Sequence, residues 1–350
     1  RAVDPLRALS LTLQPLMTSM DGRPATAPPG ITVPYIKRQR TPIAVRYRVY
    51  IVAMDGSDLS YKALRQACFL MEPSVDRIYA ITVEDASKAK PAATIASDFE
   101  LMMNQTGLRK EQSSFDILKL ADGWSIAGTI TYAINHVAHG QPIVLLGAFG
   151  LRAEGGGGGK VKATLGSIAE EVLQRSKAPV LLVRKGDPNL GLPPRDLVAL
   201  RRHNKVDAKH RLDLCVCVDG SAASRVAYDM GLSLCRAGDV MRVVHVRDTS
   251  VGRQGSFKDH SNTRDYYGPE CAKEDFAFPA IDISYVELPK GNSIKEALQK
   301  YLASSSCSLV MLGSIELADT KKKLFLGSVA QAIAAEAPAH VCVVKQFAMA

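Results

Sequence analysis

Arg48-Val49-Tyr50-Ile51-Val52-Ala53-Met54-Asp55, followed by Gly56 and Ser57, decides how this chain of 350 residues is read. A β-branched run ends on an acidic residue and a turn pair. A helical stripe of Ala63, Leu64, Ala67, Cys68 and Met71 follows it. That is the pattern of a strand, a tight turn and an amphipathic helix. Leu212-Asp213-Leu214-Cys215-Val216-Cys217-Val218-Asp219, with Gly220 and Ser221 behind it, repeats the pattern 164 residues later. Four more anchors keep the same order. Gly123-Trp124-Ser125-Ile126 matches Gly291-Asn292-Ser293-Ile294, and Leu146-Gly147 matches Leu312-Gly313. Leu165-Gly166-Ser167 matches Leu326-Gly327-Ser328, and Ala178-Pro179 matches Ala337-Pro338. The sequence is therefore read as a duplicated unit, spanning residues 46–185 and 211–346.

Each unit alternates short apolar runs with helical stretches. The expected strands are Val49–Ala53, Ile78–Val83, Phe115–Leu120, Ile143–Leu146 and Val180–Val183, then Leu214–Val218, Met241–Val246, Ile283–Leu288, Leu309–Leu312 and Val341–Val344. Apolar runs without clean alternation indicate strands covered on both faces, hence parallel sheets flanked by helices. The fold class is α/β, two doubly wound five-stranded units. Ligands of such sheets sit beyond the carboxyl ends of the strands, where Asp55, Val83, Gly147 and their partners Asp219, Val246 and Gly313 all fall.

The net charge of +9 is concentrated in two segments. Residues 1–48 carry eight Lys/Arg against Asp4 and Asp21, and residues 184–211 carry eight against Asp187, Asp196 and Asp207. The two excesses together surpass the chain total, so the remaining residues are slightly acidic. Residues 1–45 read as a basic extended arm and 186–210 as a basic extended linker, both punctuated by Pro. Such segments suit an acidic partner, RNA or an acidic protein surface such as a microtubule. No apolar run reaches the roughly 18 residues of a membrane-spanning helix. Seven scattered Cys read as core thiols in a reducing, intracellular compartment. The cytoplasm is the first expectation, with a cytoskeletal, axonemal or mitochondrial assembly as the alternative. The first residue is Arg rather than Met, which reads either as a processed start or as a beginning that lies outside this sequence.

Gly147-Ala148-Phe149-Gly150 opens a loop that closes at Gly166-Ser167, where a helix begins. Glycines admit a phosphate close to the backbone, and a helix N-terminus offers unpaired N–H groups. Ser167 is expected to be both the N-cap and a hydroxyl donor. Gly155–Gly159 with Lys160 does not make a nucleotide P-loop, because Glu154 and Val161 stand where Gly and Ser/Thr are needed. Cys215 and Cys217 share one face of a strand without a second ligand pair, so no metal site is expected.

With Met-Asp-Gly-Ser after the first strand, these loops resemble the universal stress protein family, over about 270 of the 350 residues, the span of the two units. The resemblance implies sheets in order 3-2-1-4-5, paired through Val180–Val183 and Val341–Val344 as an intrachain pseudo-dimer. It implies an ATP or AMP site, with Mg²⁺ as a candidate companion. Asp55 would contact adenosine, Val83 would offer the adenine edge, and Gly147, Gly150, Gly166 and Ser167 would hold phosphates. Here fifteen residues rather than nine separate Gly150 from Gly166, with Lys160 and Lys162 among them. The second copy keeps Asp219, Val246, Gly313, Gly327 and Ser328 as a weaker site, with Glu316 at the second glycine position. The expected function is a tandem, adenine-nucleotide-binding regulatory or structural protein, docked in a larger assembly through its basic segments and open to further oligomerisation. The alternatives are a structural subunit of a cytoskeletal, axonemal or ribonucleoprotein complex that has lost the nucleotide, or a slow ATPase. No general base is placed at the loop, so no catalytic residue is assigned.

Overall fold

The structure, a computed structural model, describes residues 47–85, 90–120, 122–136, 140–149, 165–184, 191–202, 210–247, 280–288, 291–315 and 326–346. The first lobe contributes β1 (Arg48–Ala53), β2 (Arg77–Glu84), β3 (Ser113–Lys119), β4 (Gln141–Gly147) and β5 (Val180–Val183). The second contributes β6 (Asp213–Val218), β7 (Val240–Arg247), β8 (Ala280–Glu287), β9 (Leu309–Ile315) and β10 (His340–Gln346). All ten form one sheet in the order β3-β2-β1-β4-β5-β10-β9-β6-β7-β8. Each lobe thus runs 3-2-1-4-5. Pairing is parallel throughout except at the seam, where β5 and β10 meet antiparallel with Leu181 opposite Cys342. The antiparallel seam is what a local two-fold between two parallel lobes requires.

Burial follows position in the sheet. All six residues of β6 and all four of β5 are buried, whereas edge strand β3 alternates between half-buried and exposed. Apolar runs belong to the middle of a parallel sheet, because helices cover it on both sides. One face packs against α1 (Asp58–Leu70), α2 (Ala92–Asn104), α5 (Pro194–Arg202) and α6 (Ala222–Leu234). Tyr50, Leu64, Phe69, Phe99, Leu197, Leu214 and Tyr228 form its core. The other carries α3 (Ile126–Asn135), α4 (Ser167–Arg175), α7 (Ile294–Ser304) and α8 (Ser328–Glu336), over Ile51, Val144, Val172, Leu302, Val310 and Ile333. Both cores continue through β5 and β10, so the seam lies inside a hydrophobic interior.

The repeat anchors are turn and cap signals. Gly56 and Gly220 sit at φ +83° and +81°, a backbone state that glycine adopts without penalty. Ser57, Ser125, Ser221 and Ser293 then cap α1, α3, α6 and α7, each hydroxyl accepting a backbone N–H three residues on.

The linker departs from the extended chain expected of it. Pro194 opens α5, a nine-residue helix with Asp196 in its first turn, and Leu197, Val198 and Arg201 are buried against α1. Arg201 is fully enclosed. Its Nε donates to the Phe69 carbonyl at 2.7 Å, its Nη1 donates to Asp239 at 2.8 Å, and its guanidinium lies 4.5 Å from the Phe69 ring centre. An arginine in the apolar stripe made the segment read as solvated charge, when its partner was a distant buried carboxylate.

Two cations lock the seam reciprocally. Arg184, just past β5, donates to the Ala334 carbonyl near the end of α8. Lys345, on β10, donates to the Gln174 and Ser176 carbonyls at the end of α4, both at 2.8 Å. Each lobe thereby satisfies orphan carbonyls at a helix C-terminus of the other, where positive charge is favoured.

Candidate functional site

The loops after β1 and β4 converge at the carboxyl edge because those strands are neighbours, with Val52 beside Leu145. After β1, Asp55 turns back on its own chain. Its Oδ1 accepts the Ser57 N–H at 2.9 Å and the Ser57 hydroxyl at 2.6 Å, which leaves Asp55 half-buried and fixed. After β4, the Ala148 N–H bonds the Val183 carbonyl, and the Ala148 carbonyl accepts the Gly166 N–H, both at 2.9 Å. The second bond holds the start of α4 against the end of β4. Asp55, Gly147, Gly166 and Ser167 therefore share one rim of the first lobe. Gly150 lies outside the described residues, as do Lys160 and Lys162.

Ser167 is not the cap expected of it. Gly166 occupies the N-cap position, at φ −62° and ψ 142°, and Ser167 is the first helical residue, exposed. A glycine has no side chain to satisfy the first N–H groups of α4. The second lobe repeats this: Gly327 caps α8 without a side chain, and Ser328 opens the helix. The contrast with the four serine-capped helices is physical. Helices α4 and α8 present N–H donors at the carboxyl edge that no side-chain cap occupies.

Val83 belongs to the core through its side chain, 1% exposed. Any edge it offers is backbone. Gly147 has a packing reason of its own, since a Cβ there would lie 2.8 Å from the Leu59 Cβ. At Gly313 the squeeze is tighter, with a Cβ placed 2.3 Å from the Ala223 carbonyl carbon. These glycines let the first turns of α1 and α6 ride directly on β4 and β9. In the second lobe Asp219 is exposed, and its Oδ1 accepts the Ser221 N–H at 2.9 Å. Desolvation alone would raise its carboxyl, but hydrogen bonds from Ser221 and Ser224 outweigh that and hold it below the usual carboxylate range. Val246 is half-buried, opposite Val286. Glu316 lies outside the described residues.

One group at the rim escaped the sequence reading. Lys90 closes over the Asp55–Gly56 turn, its Cβ and Cδ both 3.1 Å from where a Gly56 Cβ would stand. Its Nζ donates to the Tyr61 hydroxyl at 2.8 Å and to Asp98, tying α2 to α1. The bond to Asp98 raises the Lys90 pKa and, reciprocally, lowers that of Asp98. Burial, then the bond to Asp98, raises that of Tyr61. Only the fold brings these three residues together, so spacing carried no signal of them. Among the described residues no group of three His, Cys, Asp or Glu could hold a metal ion, and no helix is long and apolar enough to cross a membrane.

Two lobes in 3-2-1-4-5 order, joined through their last strands and carrying a glycine-capped helix at the carboxyl edge, define a tandem doubly wound α/β protein. Residues 212–345, the second lobe, match the family model described as the Universal stress protein family. A universal stress protein from Archaeoglobus fulgidus DSM 4304 shares the fold over both lobes. It is 16% identical, with 85% of this chain and 98% of that chain covered and a TM-score of 0.55. Shorter likenesses include the universal stress protein UspA from Lactobacillus plantarum, at 18% identity, 40% and 99% coverage and a TM-score of 0.30. Another is a universal stress protein in complex with cAMP, at 20% identity, 40% and 99% coverage and a TM-score of 0.27. No curated protein matches the chain. The family match falls on the lobe that departs further from the expected loop, through Glu316.

Proposed function

We propose that this protein is a tandem universal stress-type protein whose first lobe binds an adenine nucleotide, ATP or AMP, in a regulatory rather than catalytic role. The observation that carries this reading is the rim of the first lobe. There the uncapped N-terminus of α4 is held beside β4 by the Gly166–Ala148 bond, on the same rim as the Asp55 carboxylate. Backbone N–H groups and the helix dipole suit a phosphate. Asp55 suits the hydroxyls of a ribose, the Lys90 ammonium adds positive charge nearby, and the second lobe serves mainly to cover the seam. Docking to an acidic partner is proposed for residues 1–48 in the main, because Arg184 and Arg201 of the linker set are buried and already engaged.

Calorimetric titration with ATP and AMP tests the nucleotide site, using Gly166→Asp as the diagnostic variant. An Asp there caps α4, which stabilises the fold by a few tenths of a kcal/mol, and sets a carboxylate against any phosphate. Stability should hold or rise while nucleotide binding is lost. Gly327→Asp, in the second lobe, should leave binding unchanged. No heat at millimolar nucleotide, or full binding by Gly166→Asp, would overturn the reading.

A further inference from the structure

A cavity of about 500 Å³ opens at the opposite rim of the first lobe, where the strands begin. Tyr47, Arg77, Tyr79, Glu111, Tyr132 and His136 line it, between the face of β1–β3 and the last turns of α3. A strand of five or six residues spans roughly 17–20 Å, which separates this cavity from the Asp55 rim. Its size suits a small molecule, since ligand clefts run about 300–1,000 Å³.

The lining is aromatic, and part of it is left open. Tyr132 is 53% exposed, with Trp124 against it at 5.3 Å edge-on and His136 at 3.9 Å. Arg77 lies over the Tyr47 ring at 4.7 Å and has no carboxylate partner among the described residues. The second lobe shows what the same place looks like when it is not kept aromatic. There Arg211, Arg242, Lys300 and Ser304 stand at the positions of Tyr47, Tyr79, Tyr132 and His136, and Arg242 pairs with Asp213 at 2.8 Å. One copy sets an ion pair at these positions, and the other sets three tyrosines and a histidine there, beside Arg77.

We infer that this cavity is a binding site for a planar aromatic compound carrying a single negative charge, an aromatic carboxylate or sulfonate. The rings of Tyr47, Tyr79 and Tyr132 would stack on its faces and edges, and Arg77 would pair with the anionic group. Glu111 at the rim repels a second charge, which separates this chemistry from that of a nucleotide. The site is independent of the proposed nucleotide site and stands or falls without it.

The single tryptophan, Trp124, touches a lining residue and serves as a built-in reporter. The full chain is titrated with 8-anilinonaphthalene-1-sulfonate while energy transfer from Trp124 is followed, with circular dichroism as a check on the fold of each variant. One saturable site with transfer is expected. Arg77→Ala should weaken the sulfonate roughly ten-fold and leave the neutral analogue N-phenyl-1-naphthylamine unchanged. Tyr132→Ala should weaken both roughly five-fold. Excess ATP should displace neither. Binding without energy transfer, binding untouched by both substitutions, or displacement by ATP would each overturn the inference. Several non-saturating sites, an adventitious additive only, would overturn it as well.

Discussion

The two lobes hold the same buried aspartate in different ways. In the first, Asp76 accepts the backbone N–H groups of Arg48 and Glu72 at 2.8 Å each, and the Arg48 side chain completes the pair from within the lobe at 3.4 Å. In the second, Asp239 accepts the N–H groups of Leu212 at 2.7 Å and Arg236 at 2.8 Å, but its cation is Arg201, carried in by the linker helix. The brace was duplicated with the fold and its neutralisation was not. The linker has become a structural part of both lobes, packed on α1 of the first and paired with Asp239 of the second.

Removing that cation is the sharpest way to test the difference. Arg201→Ala strands Asp239 at zero exposure and should destabilise the fold by about 3–5 kcal/mol in urea unfolding. Arg48 is partly exposed and its side chain sits 3.4 Å from Asp76, which keeps both of its backbone N–H bonds in the variant, so Arg48→Ala removes a weaker pair and should cost about 1–2 kcal/mol. Equal effects would break the comparison.

The glycines under α1 and α6 come next. Gly313→Ala drives a methyl into the Ala223 backbone and should cost roughly 1–3 kcal/mol. Gly147→Ala meets only the Leu59 side chain in that way and should cost less. The order of the two midpoints decides it. At the seam, Lys345→Met unties the end of α4 and should cost about 1 kcal/mol. Hydrogen exchange should accelerate at the last turn of α4, in the lobe opposite the substitution.

Near neutral pH the least visible effect is alkaline. Burial pushes the thiols of Cys68, in the first lobe, and Cys342, on the seam, up to about 12. A pKa raised on folding contributes stability below the unfolded value, and that contribution is lost as pH climbs from about 9 towards 12. Both thiols should resist Ellman's reagent at pH 8 in the native protein and react on unfolding.

Repetition made the strand-turn-helix units legible. Asp-Gly-Ser and Gly-X-Ser-Ile are local signals, a left-handed glycine followed by a serine cap, and ten apolar runs became ten strands within a few residues of where they were expected. The rim was legible too, because topology obliges strand ends to gather there. The N-cap role was misplaced by one residue, since Gly166-Ser167 reads equally well with either as cap. Helix α5 and its Arg201 were missed because a basic stripe looks solvated until a carboxylate 38 residues away is found beside it.

The sequence alone determined the duplication, the order of strands and helices, and the turn and cap chemistry, because each depends on residues within a turn or two of one another. Tertiary structure decided the rest. It placed Lys90 over Gly56, buried Arg201, crossed the Arg184 and Lys345 clamps, and gathered tyrosines around a cavity in one lobe where its twin sets an ion pair. Those outcomes depend on which distant groups meet once water is excluded, and local spacing does not encode them.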